Sequence, residues 1–183
     1  MLIINKVFPR KTPDREAKYM GLAWFYASFS KDPNTQVGAV IVDEYNYPLG
    51  CGYNGPPRLV DDNSFSWERS VDSEKFGKND IIIHAEINAI EHSCGKDLSG
   101  STLYVTGLPC PKCMLYIANK EMKLVVYMDY RSDSGSSLQN TQWRDKSLEI
   151  AEMGQVKVKE FKGGVAWMAD WILRLKEMRV LGS

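Results

Sequence analysis

The chain has no apolar run approaching the ~20 residues that cross a bilayer. Its start, MLIINKVFPRKTPD, is apolar for only four residues before it meets Pro9 and Pro13. This pattern lacks the longer apolar core of a secretory signal, so a membrane partner is not expected and a cytoplasmic location is. Nor is there an excess of either charge, with Lys plus Arg and Asp plus Glu at 23 each. A nucleic-acid polymer usually meets a strongly basic surface, and this balance points away from one. A small anion needs only a few local cations and stays open as a ligand. Cysteines number four and histidines two. A reducing compartment argues against a disulfide framework. Cys51 and Cys94 are isolated, and each reads as a small buried apolar residue.

There is no internal repeat, low-complexity tract or linker, and 183 residues fit one domain spanning 1–183. TPDREAKYMGLAWFYASFS predicts a helix with Thr12 as N-cap and Pro13 in its first position, running to about Ser30. QVGAVIVD is apolar and β-branched, the pattern of a buried strand, and LGCGYN makes a hairpin with it after the turn EYNYP. Residues 55–80 read as a long irregular segment, either a functional loop or a poorly ordered one. IHAEINAIEHSC, CPKCMLYIANKE, TQWRDKSLEIAEMG and GVAWMADWILRLKEM read as helices; STLYVTG, KLVVYMD and QVKVKE read as strands. Strands separated by helices imply parallel crossovers with helices on both faces. The expected fold is therefore a three-layer α/β/α sandwich on a five-stranded mixed sheet. The aromatics of AWFYASF and VAWMADWILRL recur at helical spacing, as core or subunit-contact residues do.

Cys110 and Cys113 open one predicted helix, where free N–H groups and the helix dipole favour thiolates. A redox pair and a metal site both use that environment, so the cysteines alone do not decide between them. His84 tilts the balance toward metal, since it opens another predicted helix. One nitrogen and two sulfurs suit zinc, and three protein ligands leave the fourth position that catalytic sites keep for water. His92 and Cys94 lie about 12–15 Å further along the helix at 1.5 Å per residue and should not reach the same ion. Glu86 follows His84 by one residue's gap, close to the metal without necessarily binding it. A carboxylate there can move protons.

The motif H84-A-E86 followed by P109-C110-P-K-C113 resembles the signature of the zinc-dependent cytidine and deoxycytidylate deaminase family. The likeness extends over roughly residues 17–160. DPNTQVGAVIV, GYNGPP, HAEINAI, TLYVTGLPCPKC and LVVYMD look most like the deoxycytidylate (dCMP) deaminase group, and the long loop before HAE differs from tRNA adenosine deaminases.

The resemblance implies the cytidine deaminase-like fold, one catalytic Zn2+ on His84, Cys110 and Cys113, and hydrolysis of dCMP to dUMP and ammonia. It makes Glu86 the proton carrier. The backbone of Ala85 is expected to meet the base, and Gly38 and Ala39 to floor the pocket, where a large side chain should exclude the ring. Asn54 is expected at the sugar 3′-hydroxyl or, as a turn residue, on backbone. Asn34 is expected at the phosphate or in the DPNT turn. Tyr130 and Arg131 follow a strand at the end where ligands gather in α/β sheets. Arg131 suits a phosphate and Tyr130 a ring or sugar.

The resemblance further implies a homohexamer activated by dCTP with Mg2+ and inhibited by dTTP. Gly52, Tyr53 and Gly55 would belong to the effector element. Arg58 and Arg69 would contact the triphosphate, or else be solvated loop charges. Other free cytosine compounds, such as dCTP, cytidine or deoxycytidine, stand as alternative substrates. A non-catalytic zinc module that senses nucleoside triphosphates stands as an alternative class, which Glu86 argues against.

Overall fold

A computed structural model describes residues 14–68, 76–128 and 138–163. The elements are α1 (Arg15–Ala27), β1 (Gly38–Val42), β2 (Pro48–Tyr53), α2 (Lys78–Ile81), α3 (Ala85–Glu91), β3 (Thr102–Val105), α4 (Pro111–Asn119), β4 (Leu124–Tyr127), α5 (Leu138–Met153) and β5 (Lys157–Glu160). The strands form one five-stranded mixed sheet in the order β2-β1-β3-β4-β5. β1 runs antiparallel to both β2 and β3. β3, β4 and β5 are mutually parallel. The expected closing helix at GVAWMADWILRLKEM lies outside the described residues.

Alternation along each strand builds two cores. Ala39, Ile41, Leu103, Val105 and Val125 face one side, where they meet Ala85 and Ala89 of α3, Met114 and Ile117 of α4, and Ala151 of α5. Val40, Val42, Tyr104 and Val126 face the other, against Tyr19, Met20 and Ala23 of α1. Every residue of β1 is buried, as expected of a β-branched strand with helices on both faces. This is the three-layer arrangement expected. No helix among the described residues is long and apolar enough to cross a membrane.

Three glycines set how closely the helices lie on the sheet. A Cβ at Gly38 would meet the Ala23 carbonyl oxygen of α1 at 1.9 Å. On the opposite face, a Cβ at Gly50 would meet Ala89 O at 2.2 Å, and one at Gly52 would meet Ala89 N at 2.4 Å. α1 and α3 therefore rest on bare strand backbone.

Several local expectations change. α1 starts two residues later than its TPDREA pattern predicts. Asp14, not Thr12, is its N-cap, because the Asp14 carboxylate accepts the Ala17 N–H at 2.8 Å. It ends at Ala27, where the Ser28 hydroxyl turns back to the Phe25 carbonyl at 2.6 Å. α3 begins at Ala85, because Ile83 is spent in a two-way bridge to Gly55. Cys94 is exposed and not buried. It takes a left-handed backbone (φ 56°) in the turn that follows α3. Within the irregular 55–80 segment, the short helix α2 forms and Phe65 packs against Trp67, with ring centroids 4.8 Å apart.

Candidate active site

Two helix starts meet above the sheet. His84 is the N-cap of α3 and Cys110 the N-cap of α4, each with extended backbone (φ −72°, ψ 153° and φ −70°, ψ 161°). An extended N-cap ends the incoming segment and projects its side chain at the helix mouth, where free N–H groups gather. Cys110 Sγ accepts the Cys113 N–H at 3.3 Å, and Pro111 takes the first helical position, where its missing donor is no loss.

The His84 ring Nδ1 lies 3.5 Å from Cys110 Sγ and 3.3 Å from Cys113 Sγ. The three ligand atoms all fall within 4.8 Å of one another, the one such group of His, Cys, Asp or Glu among the described residues. One imidazole and two thiols at this spacing fit zinc with a fourth position left open. His92 is occupied elsewhere, its Nδ1 lying 2.9 Å from the Cys51 carbonyl oxygen.

The two thiols are electrostatically unequal. Cys110 is drawn down to about 4, first by the Cys113 thiol that donates to it, then by His84 and the Cys113 N–H. Cys113 is pushed up because its proton is held on Cys110, because it is buried, and because the Glu86 charge opposes a second anion. A pair that shares one proton is a pair prepared to exchange it for a cation. Glu86 follows the N-cap His84 by two residues, in the first turn of α3, and its charge bears on the Cys113 sulfur. The residue is 4% exposed.

Of the other expected residues, Ala85 is fully buried at the start of α3, where its N–H is one of the first-turn donors that a helix leaves without an internal acceptor. Ala39 faces α3 from the adjoining strand. Gly38 does not: its missing side chain is the space that α1 fills, so a large residue there would strike α1. Its backbone is held by Thr106, whose hydroxyl accepts the Gly38 N–H at 3.1 Å. Asn54 is buried and grips the neighbouring turn, its Oδ1 accepting Val37 N–H at 2.8 Å and its Nδ2 donating to Thr35 O at 2.9 Å. Asn34 is exposed, its backbone N–H bound to Asp32 Oδ1. Gly52 lies under α3, Gly55 pairs with Ile83, and Tyr53 and Arg58 are exposed. Tyr130, Arg131 and Arg69 lie outside the described residues.

Residues that the sequence reading passed over also frame the site. Ser147 of α5 is fully buried and donates to the Pro109 carbonyl at 2.7 Å. Asp32 and Lys78 form a buried ion pair. The DPNT turn carried a signal for Asp32, since Asp commonly closes such turns; nothing local marks Ser147 or Lys78.

The zinc-binding region of cytidine and deoxycytidylate deaminases matches residues 13–129. The deoxycytidylate deaminase of Homo sapiens is 38% identical over 110 residues, covering 60% of this chain and 62% of that protein. That of Mycobacterium phage D29 is 34% identical over 123 residues, covering 63% of this chain and 94% of its own. The chain thus spans about three-fifths of the length of the human relative. Among solved structures, the dCMP deaminase of cyanophage S-TIM5, crystallised with dCMP and dUMP, is similar with a TM-score of 0.61 and 24% identity, over 83% of this chain and 100% of that one. This last likeness is one of fold. With the ligand cluster and Glu86 inside the matched region, the chain belongs to the cytidine and deoxycytidylate deaminase zinc-binding family.

Proposed function

We propose that this protein deaminates dCMP hydrolytically, taking up water and releasing dUMP and ammonia. The observation that carries the reading is the cluster of His84, Cys110 and Cys113, with the buried Glu86 in the first turn of the helix that His84 caps. The two thiols and the imidazole would hold zinc, which when bound lowers the pKa of a water toward ~7 and so supplies a nucleophile at neutral pH. Glu86 would accept the proton that the attacking water gives up and deliver one to N3 of the cytosine ring as C4 gains the oxygen. It then carries a proton to the departing amine, so that ammonia leaves as a neutral molecule. The Ala85 N–H orients a polar edge of the base. Ala39 keeps the floor shallow, and Gly38 contributes strand backbone. A sensing module that bound nucleotides without turnover would have no use for a buried carboxylate at this position.

The sugar and phosphate fall to Asn54, Asn34, Tyr130 and Arg131 in this reading. Asn54 would act chiefly by shaping the turn it already grips, with its remaining hydrogen-bonding capacity for the sugar. The same reading gives a homohexamer in the cytoplasm, where four unpaired cysteines stay reduced. The exposed rings of Phe25 and Phe29, with centroids 5.1 Å apart, support a subunit contact at the end of α1. dCTP with Mg2+ would activate and dTTP inhibit, through the element containing Gly52, Tyr53, Gly55, Arg58 and Arg69.

The test is ultraviolet-monitored turnover of dCMP by the zinc-loaded protein, with and without dCTP and Mg2+. Turnover raised by dCTP supports reaction and regulation together. Turnover indifferent to dCTP keeps the reaction and removes the regulation. Turnover of deoxycytidine or dCTP in place of dCMP moves the substrate assignment, and no turnover of any cytosine compound overturns the enzymatic reading.

A further inference from the structure

Asp32 and Lys78 carry opposite charges where there is almost no solvent, with side chains 3% and 7% exposed. Lys78 Nζ donates to both carboxylate oxygens, at 3.0 Å to Oδ1 and 2.7 Å to Oδ2. The same Oδ1 accepts the N–H groups of Asn34 at 2.9 Å and Thr35 at 3.1 Å. The Asp32 carbonyl accepts the Gln36 side-chain amide. One carboxylate therefore closes its own turn and ties that turn to a residue 46 positions away.

A pair like this is a poor way to gain stability. Desolvating two charges offsets most of their attraction, and apolar replacement of both partners is often neutral or stabilising. Its position in the fold carries the meaning. Lys78 opens α2, which leads through Ile82 to Ile83 and so to His84. The turn closed by Asp32 leads to Thr35 and Val37, both held by the Asn54 side chain. The next residue, Gly55, is bridged in both directions to Ile83. Three segments, 32–37, 54–55 and 78–84, thus form a closed ring of contacts. The ion pair joins the two ends of that ring which no backbone pairing reaches.

We propose that Asp32 and Lys78 are a positioning clasp. The pair fixes the 32–37 turn and Asn54 against the segment that delivers His84, so that the sugar and phosphate of the substrate meet a wall already in place. Neither residue touches the substrate. A preformed wall matters because a binding group left to find its geometry gives up binding energy to ordering. For the identity of the substrate the inference rests on the deaminase reading above.

The experiment uses the full zinc-loaded chain with Asp32→Asn and Lys78→Met combined. Asn keeps the oxygen that accepts the turn amides, and removing both charges avoids the stranded buried charge of a single change, which can prevent folding. Zinc content and melting temperature come first, and both should stay near those of the parent. Hydrogen exchange then reads the turn without substrate: the Asn34, Thr35 and Val37 amides should exchange at least about tenfold faster, while those of Asn88 in α3 and His92 at its end keep their protection. Unchanged exchange overturns the clasp whatever the substrate proves to be. For dCMP, KM should rise about tenfold or more with kcat within about threefold. A faster-exchanging turn with unchanged KM, or a loss confined to kcat, overturns the positioning role. Failure of the parent protein to turn over dCMP would count against the proposed reaction alone, and the exchange comparison would still decide the clasp.

Discussion

The Ser147 hydroxyl donates to the Pro109 carbonyl at 2.7 Å, with both residues buried, so that α5 holds the main chain one residue before Cys110. α5 also packs on α4, where Ala151 shares a core with Met114 and Ile117, and this bond adds a tether at the point where the chain enters Cys110. Ser147→Ala leaves a buried carbonyl without its donor, which costs about 1–3 kcal/mol. The expected outcome is that loss in urea unfolding together with weaker zinc retention in a chelator competition. A normal zinc affinity would confine Ser147 to stability.

Glu86→Ala should keep its zinc and its fold, because Glu86 is not among the clustered ligands. Turnover should fall about 10²–10⁴-fold, the scale of a lost general acid–base. Metal analysis and steady-state rates on the same preparation separate the two effects. Parent-like turnover would remove Glu86 from the mechanism.

Cys113→Ala takes away one of three donors and should lose both zinc and activity. Cys113 is buried with its backbone in α4, so the helix itself should persist, visible as an unchanged far-ultraviolet circular dichroism spectrum. An active, metal-free variant would falsify the ligand set.

The asymmetry of the thiols gives a pH dependence with a definite sign. Cys110, drawn down to about 4, is already a thiolate at neutral pH, whereas the raised Cys113 still carries its proton. Zinc needs both as thiolates, so uptake at neutral pH should release about one proton per chain, and affinity should rise about tenfold per pH unit there. Calorimetry in two buffers of different ionisation enthalpy measures the release directly. No release would mean that the two sulfurs do not share a proton.

Gly52→Ala sets the added Cβ 2.4 Å from Ala89 N and 2.6 Å from Ala85 O. Backbone atoms cannot rotate aside, so α3 must lift from β2. The expected loss is about 1–3 kcal/mol, the usual range for overpacking, with weaker zinc binding because His84 caps the displaced helix. A variant that kept stability and zinc yet lost its response to dCTP would instead assign Gly52 to an effector element.

Much of this architecture could be read from residue patterns, because the determinants are local. The β-branched run at GAVIV, the proline after Cys110 and the alternation of strands with helices each specify their own element. The grouping of His84, Cys110 and Cys113 was legible for a related reason: two of them cap helices, and a helix start has a sequence signature. What stayed hidden depends on contacts distant in sequence. No local rule shows that Gly38 is small to admit Ala23 of α1, since the same GAV run would floor a pocket equally well. The Asp32–Lys78 pair and the Ser147–Pro109 bond join residues 46 and 38 positions apart, and each partner alone reads as an ordinary polar residue. Cys94 misled because free cysteine usually buries; the left-handed turn after α3 turned it outward.

At Gly50 and Gly52 the helix that carries Glu86 lies on β2 main chain against main chain, and beside that seam the Asn88 side chain donates to the Tyr53 carbonyl at 2.8 Å. Side chains at such a seam act as springs: they change rotamer, and successive substitutions can shim a helix up or down by fractions of an ångström. Bare backbone offers no such adjustment. The height of the carboxylate above the sheet is therefore a quantity the protein either keeps or loses in one step, and gradual tuning of the reaction is left to the surrounding loops, whose lengths and side chains can vary without disturbing that seam.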